Sequence, residues 1–134
     1  MPGQIHLDIA TPERLLVSEP VDEVVAPGSE GQFGVLPGHC RFLTTLKVGE
    51  LRYRIGIEWK RLSIGWGYAE VEPSRITVLA EVAEHAEEID LPRAEAAVKT
   101  AEKQIAASPK REEMAAARAQ LEKALMRLKV GKKK

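Results

Sequence analysis

The chain has 134 residues, of which 44% are apolar and 30% charged, and its formal net charge is zero. This length suits one medium domain or a small domain with an appendage, and the apolar content excludes a disordered protein. No apolar run reaches the roughly 18 residues that span a bilayer, and the first residues lack the basic and apolar regions of a signal peptide. One cysteine, Cys40, cannot form an internal disulfide. These features predict a cytosolic protein.

Charge is distributed unevenly between two parts of the chain. Residues 1–86 contain eight Lys and Arg against twelve Asp and Glu, whereas residues 87–134 contain twelve against eight. A basic tail on an acidic body is drawn to that body or to an anionic partner. The basic residues are mixed with Glu and lack interleaved aromatic residues, which disfavours a nucleic-acid partner.

Residues 1–86 alternate apolar and polar positions as β-strands do. In the first run, Ile5, Leu7 and Ile9 alternate with His6 and Asp8, the pattern of a strand with one buried face. Short runs rich in Val, Ile, Leu and aromatic residues follow, separated by Gly and Pro turn signals. This spacing predicts an antiparallel sandwich or barrel. The further runs are Leu15–Ser18, Val21–Ala26, Phe33–Leu36, Phe42–Leu46, Glu50–Ile55, Trp59–Ile64, Tyr68–Glu72 and Ile76–Val82.

Residues 87–134 have the apolar spacing of two helices. Asp90 is a suitable N-cap and Pro92 falls in the first turn, where its missing N–H costs little. Ser108-Pro109 ends this helix and begins the next, with Ser108 as the expected N-cap. The short break predicts antiparallel neighbours. The two apolar stripes are Leu91, Ala94, Val98, Ala101 and Ile105, and then Met114, Ala117, Leu121, Ala124/Leu125 and Leu128.

The predicted seam between these helices is rich in alanine. A buried alanine removes far less apolar surface from water than a leucine, whose burial contributes roughly 1.5–3 kcal/mol. Helices of about 16–20 residues are marginal alone in water. The seam is therefore compatible with a mobile hairpin as well as with a permanently docked helical cap.

Residue types that carry chemistry do not converge in this sequence. His6, His39 and His85 lie on three separate segments, and no spacing of a zinc motif is present. His39 and Cys40 are adjacent, so on an extended segment their side chains point to opposite faces and do not activate each other. We predict neither a catalytic site nor a metal site.

A resemblance to a known family rests on an ordered set of motifs. Residues Gly28–His39, G-S-E-G-Q-F-G-V-L-P-G-H, closely resemble the G-x-x-G-x-x-G-x-L-P-G-H signature of bacterial-type F-type ATP synthase epsilon subunits. The resemblance covers about residues 4–130. It implies an N-terminal antiparallel β-sandwich of about ten strands over residues 1–86 and a C-terminal antiparallel two-helix hairpin over residues 87–134. The supporting motifs follow in order: Gly67–Val71, Ile76–Glu81, Ala86–Asp90 and Arg93-Ala94.

The family resemblance also implies partners. In the family, the sandwich binds the gamma subunit and rests on the ring of membrane-embedded rotor subunits. The Gly28–His39 turn faces that ring, so Gln32 and His39 are the expected contact residues. Family members often have an acidic residue at the position of Gln32, and the neutral side chain here removes any ion pair from it.

A regulatory role is implied for the hairpin. In the family it lies folded, or extends along gamma to the alpha and beta subunits and blocks ATP hydrolysis. Some members bind ATP through an I-D-x-x-R-A motif, which Ile89, Asp90, Arg93 and Ala94 match. ATP is therefore expected as a regulatory ligand, with no required cofactor.

Three further residues belong to this implied ATP site. Glu84 lies upstream of the motif, and Arg127 occupies a matching basic position on the second helix. Lys123 replaces an arginine, which keeps the charge but loses the two-pronged guanidinium. Thr100 stands where other members have another basic residue.

The main hypothesis is thus a non-catalytic central-stalk subunit that couples rotor to stalk and restrains hydrolysis. We expect it at the cytoplasmic face of the bacterial plasma membrane, peripheral and without direct membrane insertion. The alternative is a stand-alone nucleotide-sensing or adaptor module. A small hydrolase is disfavoured because no nucleophile and base pair up. The coupling ion, proton or sodium, is not determined by this chain.

Overall fold

A computed structural model describes residues 3–38, 41–107 and 110–132. The chain divides into two compact units, Met1–His85 and Ala86–Lys134. The first contains β-strands and the second contains helices, which confirms the predicted fold class of a β-sandwich followed by a helical hairpin. The strands are β1 (Ile5–Ala10), β2 (Leu15–Val21), β3 (Glu23–Gly28), β4 (Gly31–Val35), β5 (Phe42–Leu46), β6 (Gly49–Ile55), β7 (Glu58–Val71) and β8 (Arg75–His85). The helices are a short 3₁₀ turn (Ala86–Glu88), α1 (Leu91–Ala107) and α2 (Arg111–Gly131).

The strands of the first unit enclose one apolar core. They are hydrogen-bonded in the order β2-β1-β8-β7-β5-β3-β4, and β6 pairs with both β3 and β7. In β1 alternate side chains point inward, as the predicted alternation of Ile5, Leu7 and Ile9 required, and these three are fully buried. Other fully buried large side chains include Tyr53, Leu51, Leu62, Ile64 and Ile76.

The described residues form eight strands instead of about ten. The nine runs predicted from the sequence become eight strands at Gly65 and Gly67, which were predicted to mark turns but lie inside the long strand β7. The runs Trp59–Ile64 and Tyr68–Glu72 are thereby joined. β7 pairs with β6 along its first half and with β5 along its second half. One strand therefore serves two neighbours, which a prediction from turn residues alone misses.

Gly67 is required by a close approach between strands. A Cβ atom on this residue would collide with the backbone of β8, at the carbonyl oxygen of Leu79 and the Cα of Ala80, the latter at 2.7 Å. The preceding residue, Trp66, has a φ of 41°, a left-handed conformation that is uncommon for a bulky residue. The glycines flanking Trp66 allow β7 to bend where it changes partner.

The pairing of β1 with β8 is parallel, whereas a wholly antiparallel sheet was expected. His6 to Ala10 align with Arg75 to Leu79 in the same direction. A parallel pair needs a long connection between its strands, and here the whole of β2 to β7 supplies it. Local turn signals cannot reveal such a pairing because the two strands are about 70 positions apart in the sequence.

The second unit is the predicted hairpin. Leu91 and Ile89 lie against Gly131, since a Cβ added at Gly131 would be 2.8 Å from Leu91 Cδ2 and 2.9 Å from Ile89 Cγ2. The start of α1 thus packs on the end of α2. Most buried hairpin residues are alanines, as expected from the sequence: Ala86, Ala94, Ala101, Ala117 and Ala124, together with Ile89, Val130 and Gly131.

The helix ends agree with the sequence at one terminus and differ at the other. Asp90 caps α1, because its Oδ1 accepts a hydrogen bond from the Arg93 N–H at 3.1 Å. The N-cap position of α2 is Lys110, whose side chain makes no capping hydrogen bond, so the predicted cap at Ser108 is wrong. Ser108 itself lies outside the described residues. Leu125, predicted as an alternative to Ala124 in the seam, is 48% exposed, and Ala124 is the buried residue.

Candidate functional sites

One outer face of the sandwich exposes large apolar side chains. Tyr68 on β7 lies directly opposite Leu79 on β8, and Leu79 lies beside Ala10 on β1. Trp66 lies beside them, since it lines the same surface depression as Tyr68 and Leu79. These three large side chains are 36% to 47% exposed. They border an open depression of about 480 Å³ that also includes Thr11 and Pro12.

We call Trp66, Tyr68, Leu79 and Ala10 the aromatic patch. Sequence analysis missed it as a site, although two aromatic residues at alternate positions within a glycine-rich strand are a signal for it. Scattered single apolar side chains are normal at protein surfaces, whereas a contiguous exposed patch marks an interaction site. The patch has the composition of a protein-binding surface, since Trp and Tyr are enriched there.

A polar cluster on the same sheet resembles a catalytic arrangement but has the wrong geometry. His6 Nε2 lies 3.2 Å from Asp8 Oδ1 and 3.2 Å from Ser18 Oγ, and Arg75 Nη1 donates to Asp8 Oδ2 at 2.6 Å. In a catalytic triad the acid and the nucleophile contact different ring nitrogens. Here a single nitrogen contacts both, so the cluster has no triad geometry.

The charge of Asp8 is stabilised within this cluster. A hydrogen bond from Ser18 is the main cause that lowers the pKa of the Asp8 carboxyl below its usual value, and the charges of His6 and Arg75 act in the same direction against partial burial. The cluster joins β1 to β2 and β8, and its role is to fix these strands together.

The residues of the implied ATP motif have structural roles at the start of α1. The carboxylate of Asp90 is engaged in the cap, and the backbone N–H of Ala94 donates to the Asp90 carbonyl at 2.9 Å. Ile89 and Ala94 are buried, so their side chains are packing groups. The side chain of Arg93 is exposed. Of the four motif residues, only Asp90 and Arg93 are thus exposed to solvent.

The basic residues of the implied ATP site on α2 lie in its second half. Lys123 and Arg127 are four positions apart, so they occupy one helix face, and both are partly buried. The packing of Leu91 against Gly131 brings the first turn of α1 beside the last turns of α2. Arg127 thus lies about one turn from the contact with the start of α1, and Lys123 lies one turn further back, near the middle of α2. Glu84 belongs to β8 in the other compact unit.

Of the two residues expected to contact the rotor ring, the structure describes Gln32. Gln32 lies on β4 opposite Pro27, and its side chain is exposed. His39 lies outside the described residues, as does Cys40. An exposed position suits a contact residue, and the contact itself stays a prediction.

Two other kinds of site, a metal centre and a membrane-spanning helix, are absent from the described parts of the chain. Within residues 3–38, 41–107 and 110–132, no group of three or more His, Cys, Asp or Glu side chains converges in a way that could hold a metal ion. In the same ranges, neither helix has the length and apolar character needed to cross a membrane.

Both halves of the chain match models of one protein family. Residues 4–86 match the β-sandwich domain of the ATP synthase delta/epsilon chain, and residues 87–132 match its long α-helix domain. The chain belongs to the ATP synthase epsilon-chain family. Members of this family are non-catalytic subunits of the ATP synthase complex, which confirms the prediction that the chain is not an enzyme by itself.

Relatives in this family are similar over nearly their whole length. The ATP synthase epsilon chain of Syntrophobacter fumaroxidans is 53% identical over 133 residues, which is 99% of each chain. The epsilon chain of Geobacter metallireducens is 46% identical over 99% of this chain and 97% of its own.

Solved structures give the same fold. A chain from the Euglena gracilis mitochondrial ATP synthase, in a structure of OSCP, F1 and the c-ring, has a TM-score of 0.80 at 27% identity and covers 91% of this chain and 78% of that one. A chain from the Tetrahymena thermophila mitochondrial ATP synthase, in a central stalk and c-ring structure, has a TM-score of 0.69. It covers 96% of each chain, and at 14% identity it shows the fold alone.

Proposed function

We propose that this chain joins the gamma subunit to the membrane-embedded rotor ring in the central stalk of a bacterial F-type ATP synthase, and that its hairpin restrains ATP hydrolysis. The observation that carries the proposal is the aromatic patch on a sandwich that matches the family over residues 4–86. The similar chain of Euglena belongs to a mitochondrial ATP synthase structure that contains F1 and the c-ring.

The aromatic patch is the surface proposed to bind the gamma subunit. Burying apolar surface stabilises a complex by about 25 cal/mol per Å², and Trp and Tyr anchors contribute most of the binding energy of an interface. Trp66 and Tyr68 both lie within β7, and an aromatic side chain has only two torsion angles, so little side-chain freedom is lost on binding. We propose that Gln32 and His39 contact the rotor ring, which puts the chain at the cytoplasmic face of the plasma membrane as a peripheral subunit.

The alanine seam supports the regulatory part of the proposal. A buried alanine methyl contributes about 0.8 kcal/mol, so a seam made mainly of alanines holds two helices weakly. Separation of the helices exposes little apolar surface, and the cost is recovered when the helices bind elsewhere. The proposed second resting place is along gamma, with the helix tips among the alpha and beta subunits.

ATP is the proposed ligand that favours the folded hairpin. Arg93 lies in the first turn of α1, and Lys123 and Arg127 share one face of α2, so triphosphate charge between them would hold the two helices together. This grouping exists only while the helices are paired. A ligand at about 100 times its dissociation constant that binds only the folded form stabilises that form by roughly 2.7 kcal/mol. This magnitude biases a weakly packed hairpin without locking it.

The test of binding is reconstitution of the ATP synthase with the full chain. Tyr68→Ala is expected to weaken incorporation by about tenfold, whereas Leu15→Ala, which removes an exposed leucine of β2 outside the patch, is expected to leave it unchanged. Equal incorporation of Tyr68→Ala and the parent chain would refute the patch as the contact surface.

The test of regulation is a chain that ends after residue 87, at the boundary between the two family domains. We expect it to assemble normally and to raise the ATP hydrolysis rate of the complex. Hydrolysis that is unchanged at low and high ATP, with and without a proton gradient, would overturn the regulatory role while leaving the assembly role intact.

A further inference from the structure

The β6–β7 hairpin carries a second distinctive surface, separate from the aromatic patch. In the antiparallel register Arg52 lies opposite Arg61, and Arg54 lies opposite Trp59. Ile57 lies in the connecting turn and is 97% exposed. We call Arg52, Arg54, Ile57, Trp59 and Arg61 the arginine face. Three guanidinium groups and two large apolar side chains are thus gathered at one end of the sandwich.

Trp59 is held in place by two of these arginines. The Cζ atoms of Arg52 and Arg54 lie 5.6 Å and 5.9 Å from the centroid of its ring, within the range of cation–π attraction. Arg54 is itself fixed, because its Nε donates to Glu23 Oε1 at 3.2 Å and its Nη1 donates to the Gly56 carbonyl at 2.8 Å. The indole, 37% exposed, is therefore presented in a fixed position. Fixed side chains lose little conformational entropy when a partner binds.

Of the three arginines of the arginine face, Arg52 differs from the other two in its ion pairing. Arg54 pairs with Glu23, and Arg61 pairs with Glu50 at 2.8 Å. Arg52 stands directly across from Arg61, and like charges in this position destabilise a strand pair. Among the residues that the structure describes, no carboxylate forms an ion pair with Arg52. One anionic group placed beside Arg52 would relieve this repulsion.

We propose that the arginine face docks a segment of a neighbouring ATP synthase subunit, which presents one carboxylate to Arg52 and an apolar side chain to Ile57 and Trp59. This inference rests on the proposed function, since it needs the chain to be part of the assembly. Trp and Arg are the residues that most often dominate binding energy at interfaces, and a charge pair beside an apolar anchor gives the contact its orientation.

A protein segment fits this surface better than an anionic bilayer does. Arg54 and Arg61 already have carboxylate partners, which leaves Arg52 as the cation to be neutralised. A layer of anionic headgroups would also meet Glu23 and the exposed Glu58 at the same end of the hairpin and be repelled. A single carboxylate on a folded partner matches the one arginine of this face without an ion pair among the described residues and stays clear of Glu23 and Glu58.

Tryptophan fluorescence tests the inference in the assembled complex. The chain contains two tryptophans, so the signal of Trp59 is taken as the difference between the parent chain and Trp59→Phe, which leaves Trp66 in the aromatic patch unchanged. Acrylamide quenching is measured on the free chain and on the ATP synthase reconstituted with it in non-ionic detergent. In both cases subtracting the Trp59→Phe signal removes the fluorescence of Trp66 and, in the complex, of the other subunits. Assembly is expected to lower the quenching constant of Trp59 by about threefold, because interface anchors are shielded from solvent.

Charge reversal tests the role of Arg52 in the parent chain, where both tryptophans are kept. Arg52→Glu is expected to weaken incorporation into the complex by about tenfold, with a smaller effect at high salt. The matched control is Lys60→Glu, which makes the same charge change on the same hairpin. Lys60 pairs with Tyr53 and so lies on the opposite side of the strand from Trp59. This control is expected to incorporate like the parent.

The outcomes separate this inference from the proposed function. If the chain enters the complex while Trp59 remains as open to acrylamide as in the free chain, the docking inference is wrong and the proposed function stands. If the parent chain does not enter the complex, both fall. Vesicles containing phosphatidylglycerol are expected to leave Trp59 quenching unchanged. If these vesicles shield Trp59 as much as the complex does, the arginine face binds an anionic lipid surface and the proposal of a protein partner is wrong.

Discussion

Asp90 offers the sharpest test of how the hairpin is held, because two roles meet at one carboxylate. Its Oδ1 accepts the Arg93 N–H at 3.1 Å, and the first turn of α1 contains no other acidic residue. Asp90→Ala removes the cap and its interaction with the helix dipole, which costs about 1 kcal/mol, within a range of 0.5–2 kcal/mol. That corresponds to a roughly fivefold increase in the open population of α1. Asp90→Asn keeps a capping oxygen, so the expected loss is only a few tenths of a kcal/mol.

Hydrogen exchange of the backbone amides measures the effect. Asp90→Ala is expected to speed exchange in the first two turns of α1 by about fivefold, and Asp90→Asn by less than twofold. Exchange in β1, in the other compact unit, is the internal control. If Asp90→Ala leaves exchange of α1 at the parent rate, the cap does not stabilise the helix and the reasoning fails.

Calorimetric titration with ATP then separates the cap from the proposed ligand contact. If the proposed ATP site uses the charge of Asp90, Asp90→Asn changes the affinity while its helix stays formed. If Asp90 acts through the cap alone, Asp90→Asn binds like the parent and Asp90→Ala binds more weakly. Arg93→Ala is expected to reduce ATP affinity in either case, because a phosphate contact is lost. A titration of the parent without heat at millimolar ATP would refute the proposed ligand.

Three other predictions concern stability. Gly67→Ala is expected to lower the free energy of unfolding of the sandwich by about 3 kcal/mol or more in urea, because the added Cβ would overlap the backbone of β8. The control is Gly34→Ala, whose added Cβ would have its nearest contact at 4.0 Å and which is expected to cost less than about 1 kcal/mol. The lowered pKa of Asp8 means that its stabilising effect is present at neutral pH and is lost as the pH falls through the folded-state pKa. Ser18→Ala should shrink this acid-dependent loss of stability. If the stability of Ser18→Ala falls with pH in parallel with that of the parent chain, the assignment is contradicted. Ala117→Leu is expected to push the helices apart and destabilise the hairpin by about 1–3 kcal/mol, and unchanged amide protection of α2 would show that the seam has spare room.

The Asp90 motif could be predicted from the sequence, whereas the aromatic patch could not. The motif residues around Asp90 were found because an N-cap and its helix are adjacent in the sequence, and the capping bond joins positions three apart. The patch joins Trp66 and Tyr68 on β7 to Leu79 on β8 and Ala10 on β1, so it exists only once the strands have paired. The charge balance of Arg52 likewise depends on its register with Arg61.

The sequence alone determined the two kinds of secondary structure, the boundary region between them, the alanine seam and the Asp90 cap, because each depends on periodicity or on neighbours a few positions apart. The tertiary structure decided what depends on distant pairs. It joined two predicted runs into β7, aligned β1 in parallel with β8, and required a glycine at position 67 because another backbone passes there. Such pairings are set by packing across the whole sheet, so no local pattern carries them.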